Sequence, residues 1–428
     1  MENTKQQGRL VPIIMMILLF GMISFVTNLA APMGVVLKNQ FGASNFLGML
    51  GNFANFIAYA VMGIPAGKLL EKIGYKKTAL LAILVGFVGV GVQVLSGVAG
   101  SFAVYLLGAF IAGFSMCMLN TVVNPMLNTL GGGGNRGNQL IQIGGSFNSL
   151  MATLVPILIG ALIGSAAQAN ITDVYPVMFI AMGIFALVGI VLYFVQIPEP
   201  HIVKSEKSTE KSKYSAWSFR HFVLGAVAIF IYVGIEVGIP GTLMLFLSDP
   251  ATGIVGGATS AGVVAGTYWF LMLVGRFIGA SIGAKVSSKT MLTFVSLVGI
   301  ILVALSIFSP VSTVISMPVI ETGASISIAM VEVPVSAMFL VLCGLCTSVM
   351  WGGIFNLAVE GLGKFVAAAS GIFMMMVCGG GILPLIQNAL ADSLGYLNSY
   401  WVVLLGLAYL LFYAMIGSKN VNQDIDVN

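Results

Sequence analysis

Long apolar runs alternate with short polar stretches along the whole chain. We count twelve apolar segments, near residues 10–38, 45–67, 77–98, 102–128, 139–165, 174–196, 219–247, 258–284, 288–309, 334–358, 365–391 and 397–417. Crossing the hydrocarbon core of a bilayer takes about 20 residues of α-helix, and every segment reaches that length. The pattern predicts an all-α polytopic membrane protein with twelve transmembrane helices.

The most polar stretch, "EPHIVKSEKSTEKSKYSAWSFRH", divides the segments into six before it and six after it. Its density of lysine, glutamate and serine is typical of a solvated linker rather than of a membrane helix. We therefore expect two six-helix halves, residues 1–197 and 220–428, joined by a linker at residues 198–219. Such a repeat-based organisation is typical of secondary transporters.

Composition supports a membrane protein and offers little for enzymatic chemistry. The chain is 58% hydrophobic and 7% charged, whereas soluble proteins carry about 25% charged residues. The four cysteines lie in apolar segments, and no metal-ligand cluster, nucleophile triad or nucleotide fingerprint accompanies them. The run "GGGGNRGN" lacks the G-K-[ST] ending of a phosphate loop, so it predicts a turn between two helices. We expect no enzyme activity, no cofactor, no metal and no nucleic-acid partner.

The basic residues are unevenly distributed between the loops. They concentrate before the first segment, between segments two and three, and in the linker, whereas the opposite side carries only Lys38. By the positive-inside rule, both termini and the linker are predicted to be cytoplasmic in a multi-pass plasma membrane protein, in bacteria the inner membrane. On the other side, residues 310–333 either fold over a mouth or only connect two helices.

The loop "GIPAGKLLEKIGYKK" has a specific spacing of glycines, one acid and several bases. The relevant residues are Gly67, Leu69, Glu71, Lys72, Gly74, Lys76 and Lys77. Glycines allow a tight turn and close helix contact, and the acid can cap a helix start or pair with a base across the interface between the halves. The loop resembles the signature loop of the major facilitator superfamily, where it is a latch that favours the outward-open state. The alternative is a basic loop that serves topology alone.

Further stretches resemble the sugar-transporting branch related to fucose–proton symporters. They are "NTVVNPM", "SFNSL", "YVGIEVG", "FNLAVEGLGK" and "CGGGILP", together with the glycine–arginine pair in "LVGRFIGASIGAKVSSK". The resemblance implies the twelve-helix fold, alternating access and sugar transport. We group Arg276, in that last stretch, with the latch residues as a structural or gating ion-pair partner.

The chain departs from this branch at its acidic positions. The aspartate that the symporters carry in the first helix falls on Ala31, although the nearby Asn28 is matched. The glutamate of the fourth helix falls on Asn120, and an amide of the fifth helix falls on Gly145. The resemblance therefore does not imply proton coupling through the usual acidic pair.

Glu236 lies near the middle of the seventh apolar segment. A charged carboxylate at that depth costs about 2.5–3.5 kcal/mol on insertion scales, so such residues normally face a cavity or a partner. Removal from water also favours the protonated form. Glu236 is our candidate for the residue that couples transport to a proton or another cation, or that accepts a hydrogen bond from the substrate. The alternative is a protonated structural glutamate.

Uncharged polar residues recur in several of the predicted helices. The candidate substrate-binding residues are Asn28, Asn120, Asn124, Gln142, Asn148, Trp351 and Asn356. Amides offer both donors and acceptors, and an aromatic ring stacks on sugar C–H groups. Each of these amides could equally form a hydrogen bond between helices instead of binding substrate.

These observations predict a monomeric transporter of a sugar or similar small polar solute, a symporter if protons are coupled and a facilitator if they are not. The first alternative is a drug or amphiphile efflux antiporter of the same superfamily, favoured by the 24 methionines. A further alternative is a membrane receptor that transports nothing.

Overall fold

The computed structural model describes most of the chain. The described residues are 10–28, 45–163, 171–199, 214–249, 257–322, 326–422, 424–425 and 427. Ala31, Lys38 and most of the predicted linker lie outside them.

The first half contains six long helices. They are α1 (Leu10–Asn28), α2 (Asn45–Ile73), α3 (Tyr75–Ala99), α4 (Phe102–Leu130), α5 (Gly134–Ile163) and α6 (Ile171–Phe194). The turn between α4 and α5 uses Gly132, Gly133 and Gly134, whose φ angles are 81°, 73° and 53°. Side chains other than glycine rarely adopt that left-handed conformation, so the glycine run is the predicted turn.

The second half contains three continuous helices and three interrupted crossings. The helices are α7 (Arg220–Ser248), α8 (Gly257–Ile282), α9 (Ser288–Phe308), α10 (Val335–Thr347), α11 (Met350–Val359), α12 (Val366–Met375), α13 (Gly379–Leu394), α14 (Tyr396–Ser399) and α15 (Trp401–Phe412). Two residues separate α10 from α11, a 3₁₀ turn separates α12 from α13, and α15 ends in a π turn at Tyr413–Gly417.

The predicted number of crossings is confirmed. Eleven described helical spans are long and apolar enough to cross a membrane. The 30-residue helix α5 is the twelfth crossing. Because successive helices run in opposite directions, the start of α1 and the end of α15 lie on one face of the bundle. We call it the termini face.

A β-hairpin lies on the opposite face, where the sequence left two possibilities open. Its antiparallel strands are β1 (Val314–Thr322) and β2 (Ile326–Pro334). Alternating β-branched residues favour such strands. The backbone N–H of Ile320 donates to the Thr267 hydroxyl of α8 at 3.0 Å, and Ile320 lines the cavity described below. The loop therefore reaches the cavity and is more than a connection.

The two halves approach closely where α2 crosses α12. A Cβ atom added to Gly63 would lie 2.5 Å from the backbone N of Met375, and one on Gly67 would lie 3.0 Å from Cα of Gly371. Small residues four apart let helix backbones approach in lipid, where packing drives association. This contact is part of the interface between the halves that must change if the halves move.

Candidate functional site

A central cavity of about 430 Å³ lies between the two halves. Its walls come from α1, α2, α4 and α5 on one side and from α7, α8 and α11 on the other. It extends toward the hairpin face, because its lining includes Thr27 near the end of α1, Thr153 well along α5, and Ile320. Residues from both halves therefore line the cavity.

Amides form the polar part of the first-half wall. Four of the predicted substrate-binding residues lie here: Asn28, Asn120, Gln142 and Asn148. Asn120 donates through Nδ2 to the Tyr59 hydroxyl at 2.7 Å, and Asn148 donates to the carbonyl oxygen of Phe20 at 3.0 Å. A primary amide carries two N–H donors and an acceptor oxygen. These bonds orient the two asparagines and leave hydrogen-bonding capacity for a solute.

The second-half wall carries a buried ion pair. Arg276 Nη2 lies 3.3 Å from Glu236 Oε1, and that oxygen also accepts from the Tyr232 hydroxyl at 2.8 Å. The second terminal nitrogen of the guanidinium, Nη1, donates to the carbonyl of Gly145 at 3.0 Å and to Ser149 Oγ at 2.7 Å. Removing two charges from water is costly unless they pair and their remaining groups are bonded. The bonds to Tyr232, Gly145 and Ser149 offset part of that cost, and the network joins α7, α8 and α5.

The position of Arg276 differs from the grouping that the sequence suggested. We grouped it with the latch loop, but it lines the central cavity. Its bonds to α5 still join the two halves, so its part in conformational control stays a prediction.

Trp351 is the aromatic residue predicted to bind substrate, and it also lines the cavity. Its ring centroid lies 6.4 Å from that of Tyr232 and 6.0 Å from that of Phe373. Its indole N–H donates to Asn124 Oδ1 on α4 at 2.9 Å. The ring is thus supported by its own half and hydrogen-bonded to the other.

Two predicted substrate-binding residues, Asn124 and Asn356, do not line the cavity. Asn124 is fully buried, and its Nδ2 donates to the backbone oxygen of Asn120. Asn356 accepts from Asn128 at 2.6 Å and donates to Ser288 at 2.8 Å. Both side chains make hydrogen bonds between helices, the alternative that the sequence left open. These contacts favour that alternative for both residues, and a direct contact with a solute stays an untested prediction.

A layer of hydrogen bonds joins the halves between the cavity and the termini face. The pairs are Asn124 with Trp351, Asn128 with Asn356, Gln142 with the carbonyl of Val349, and Gln139 with the carbonyl of Ala280. α4 and α8 run toward the termini face and α5 runs away from it, which places these contacts on that side. The carbonyl of Val349 is at the break between α10 and α11, where irregular backbone needs such partners. The cavity is therefore closed toward the termini face.

The latch loop supplies another contact between halves. The Glu71 carboxylate accepts a hydrogen bond from the backbone N–H of Ala368 in the first turn of α12. The first N–H groups of a helix have no partners within it, and the helix dipole favours an anion there. Glu71 therefore caps a helix of the opposite half, one of the two roles that its residue type predicts.

The other latch residues organise the turn between α2 and α3. Gly74 has φ 88°, a left-handed value that a residue with a side chain would adopt only with strain. The backbone N–H of Lys76 donates to Glu199 Oε1 at 3.1 Å, and its ammonium donates to the carbonyl of Tyr193 at 2.8 Å. Lys72 is exposed at the termini face. The bases thus pack against the end of α6 or face solvent.

Sequence reasoning missed several residues of the site. Tyr59, Ser149 and Ile320 line the cavity, and Tyr232 bonds the carboxylate of Glu236. The spacing of Tyr232, one helical turn before Glu236, was a usable signal because residues four apart on a helix are neighbours. Ile320 offered no signal, since it lies in an apolar loop.

The described part of the chain offers no obvious metal site. No three His, Cys, Asp or Glu side chains there lie together in a group that could hold a metal ion. The polar chemistry of the cavity consists of amides, hydroxyls, two indoles and one ion pair.

Comparison with known proteins gives this architecture a family. The sequence profile of the Major Facilitator Superfamily matches residues 13–384. A glucose/galactose transporter of Brucella abortus is 32% identical over 427 residues, which cover 98% of this chain and 97% of that protein. The L-fucose-proton symporter of Escherichia coli is 22% identical, covering 91% of this chain and 89% of that protein.

Solved structures show the same fold. A crystal structure of FucP, a major facilitator superfamily transporter in the outward conformation, superposes with a TM-score of 0.80 at 20% identity. The alignment covers 96% of this chain and all of that one. Both the profile match and the Brucella relative extend over most of the chain. The chain therefore belongs to the major facilitator superfamily.

Proposed function

We propose that this protein transports a hexose across the plasma membrane by alternating access and is not an enzyme. The observation that carries the proposal is the cavity between the halves, whose walls combine amides with the indoles of Trp269 and Trp351. Amides bond hydroxyl groups as donors and acceptors, and an indole face stacks on sugar C–H groups. The Brucella relative, named a glucose/galactose transporter, favours hexoses as the solute class.

The size of the cavity, and the amides and ion pair among its apolar lining residues such as Phe56 and Phe270, argue against the efflux alternative. Its volume of about 430 Å³ lies low in the range of roughly 300–1,000 Å³ typical of small-molecule sites. A drug-like amphiphile needs a large apolar surface, and the polar groups of this cavity would lose water without gaining partners. A small polyol matches these groups better.

The closed termini face supports an outward-facing state. With basic residues concentrated in the loops of that face, the positive-inside rule puts both termini and the linker at residues 198–219 in the cytoplasm. The hairpin then lies outside the cell, and the cavity faces it. We expect halves 1–197 and 220–428 to rock about this site, and one chain to suffice because it contains both walls.

Glu236 is our candidate for coupling transport to protons. It is the acidic residue in the cavity lining, and Arg276 holds it in a network that reaches the first half. If Glu236 takes up a proton, its attraction to Arg276 falls, and the guanidinium keeps its bonds to Gly145 and Ser149 of α5. Proton uptake would thereby change the contacts between halves. An uncoupled facilitator would use the same cavity without this step.

The experiment measures ligand stabilisation and counterflow of the purified protein. D-glucose or D-galactose should raise the melting temperature, since a ligand at 100 times its Kd stabilises the native state by about 2.7 kcal/mol. Proteoliposomes preloaded with the same sugar should exchange it for labelled sugar. Stabilisation by amphiphiles alone, with no sugar counterflow, would contradict the proposal.

A matched pair of tryptophan variants localises the effect. Trp351→Ala should lose the sugar-induced stabilisation because it removes a cavity wall. Trp401→Ala should keep it, because Trp401 is 43% exposed on the outside of the bundle. Equal loss in both variants would point to a general effect on folding.

A further inference from the structure

The indole of Trp351 lines the cavity and is hydrogen-bonded across the interface between the halves. Trp351 is on α11, and its N–H donates to Asn124 Oδ1 on α4 at 2.9 Å. Its neighbours in its own half are Tyr232 and Phe373, at ring-centroid distances of 6.4 and 6.0 Å. Ring packing limits tilt, whereas the N–H bond fixes rotation of the ring in its own plane.

Asn124 is committed to this contact and unavailable to a solute. It has no exposed surface, its oxygen accepts from Trp351, and its nitrogen donates to the backbone of Asn120. Asn120, one turn away, is the residue that lines the cavity. Residues four apart on a helix are separated by about 6 Å along its axis. That distance places Asn124 behind the site rather than in it.

We propose that Asn124 is a positioning residue that sets the orientation of Trp351 as a stacking platform for the sugar. The inference rests on the proposed function, because it requires a sugar in the central cavity. Asn124 and Trp351 belong to different halves, so their bond exists only while the termini side is closed. The platform is then ordered in the outward-facing state and released when the halves separate toward the cytoplasm.

This arrangement links affinity to conformation. A sugar bound from outside meets an oriented indole, and opening toward the cytoplasm removes the acceptor that orients it. The same contact thus promotes binding on one side and release on the other. Asn128 provides a natural comparison, because its bond to Asn356 also joins the halves but lies away from the cavity.

The test is a double-mutant cycle with Asn124→Ala and Trp351→Phe, using D-glucose and D-galactose as probes. Trp351→Phe keeps an aromatic ring and deletes the N–H donor. Loss of one hydrogen bond should raise the Kd about three- to tenfold in either single variant. In the Trp351→Phe background, Asn124→Ala should change the Kd less than about twofold, because its partner is already gone.

Two readouts separate positioning from a merely structural role. In a chain whose other tryptophans, Trp217, Trp269 and Trp401, are replaced by Phe, Asn124→Ala should shift the emission of Trp351. Asn128→Ala should leave the emission of Trp351 unchanged. It should also leave the coupling between Asn124→Ala and Trp351→Phe unchanged. Melting temperatures of all variants establish that the Kd values refer to folded protein.

The outcomes distinguish this inference from the proposed function. Wild-type binding of a hexose with additive effects of Asn124→Ala and Trp351→Phe would overturn the positioning role alone. An unchanged Trp351 emission in Asn124→Ala would do the same. Wild-type protein that binds neither sugar would overturn the proposed function and, with it, this inference.

Discussion

The two walls of the central cavity use different chemistry. The first-half wall offers neutral amides, among them Asn28, Asn120 and Asn148, whereas the second-half wall offers Glu236, Arg276 and two tryptophans. Neutral amides can bond several hydroxyl arrangements at little desolvation cost, while a buried ion pair responds to protonation and to loss of either partner. The comparison predicts that the first wall recognises the solute through amides, whereas the second adds ring stacking through Trp351 to a charge-dependent control.

The largest effect should come from removing the cation of the second wall. Arg276→Ala leaves Glu236 without the partner 3.3 Å away and removes bonds to Gly145 and Ser149. Breaking a buried pair in this way costs about 3–5 kcal/mol. We expect a large fall in melting temperature of the purified protein.

The control for that variant removes both charges together. Arg276→Met combined with Glu236→Gln should recover most of the lost stability, because no unpaired charge remains. A double variant as unstable as Arg276→Ala would show that the guanidinium stabilises the protein through its bonds to α5 rather than through the ion pair.

Neutralising the acid of the second wall should affect coupling more than binding. Glu236→Gln keeps a similar shape and an oxygen that can accept from Tyr232, but it cannot exchange a proton. A one-unit pH gradient is worth about 1.4 kcal/mol, enough to drive roughly tenfold accumulation of a sugar moved with one proton. The variant should lose this uphill accumulation and retain counterflow.

The measurement is uptake of labelled hexose into proteoliposomes with and without an imposed pH gradient. Unchanged accumulation by Glu236→Gln would remove Glu236 as the coupling site. Absence of accumulation by the wild type would favour facilitated transport instead. In that case the pair would serve structure and gating.

The first wall should show a smaller effect that is specific to affinity. Asn120→Ala removes an amide that lines the cavity and bonds Tyr59. A single hydrogen bond contributes about 1 kcal/mol, so the Kd for the sugar should rise about fivefold. The melting temperature without sugar should change little.

Asn356→Ala is the matched variant for this first-wall prediction. Asn356 is an amide of similar burial, 7% exposed against 8% for Asn120, but it bonds Asn128 and Ser288 away from the cavity. Asn356→Ala should leave the contacts between the sugar and the cavity intact. It should destabilise the state in which the termini face is closed. Equal Kd changes in Asn120→Ala and Asn356→Ala would undermine the division between recognition and closure.

The sequence predicted the crossings well because hydrophobic run length follows directly from bilayer thickness. It could not show the breaks between α10 and α11 or between α12 and α13. Those interruptions lie inside apolar segments and depend on partners such as Gln142, which donates to the carbonyl of Val349. Hydropathy carries no information about such backbone contacts.

The sequence predicted which residue types line the site, but only partly which of these residues reach the cavity. Helical spacing put Asn120 and Asn124 on one face, yet only the first reaches the cavity. The distinction depends on where α11 crosses α4, a tertiary contact. The pairing of Glu236 with Arg276 spans 40 residues and two helices, so no local pattern indicated it.

The smallest predicted effect concerns the latch loop, which lies outside both walls and which we predict to favour their closure on the termini side. Glu71→Ala removes the carboxylate that caps α12 through Ala368. Loss of a helix cap costs about 1 kcal/mol, and exposure of Glu71 at the edge of the bundle puts the effect near the lower end of the range. The balance should shift a few-fold from the outward-facing toward the inward-facing state, as measured by labelling of cysteines placed on each face. Glu71→Gln keeps an acceptor oxygen without the charge, so it should recover part of the shift. Identical labelling of Glu71→Ala and wild type would show that the walls, and not the latch, hold the termini side closed.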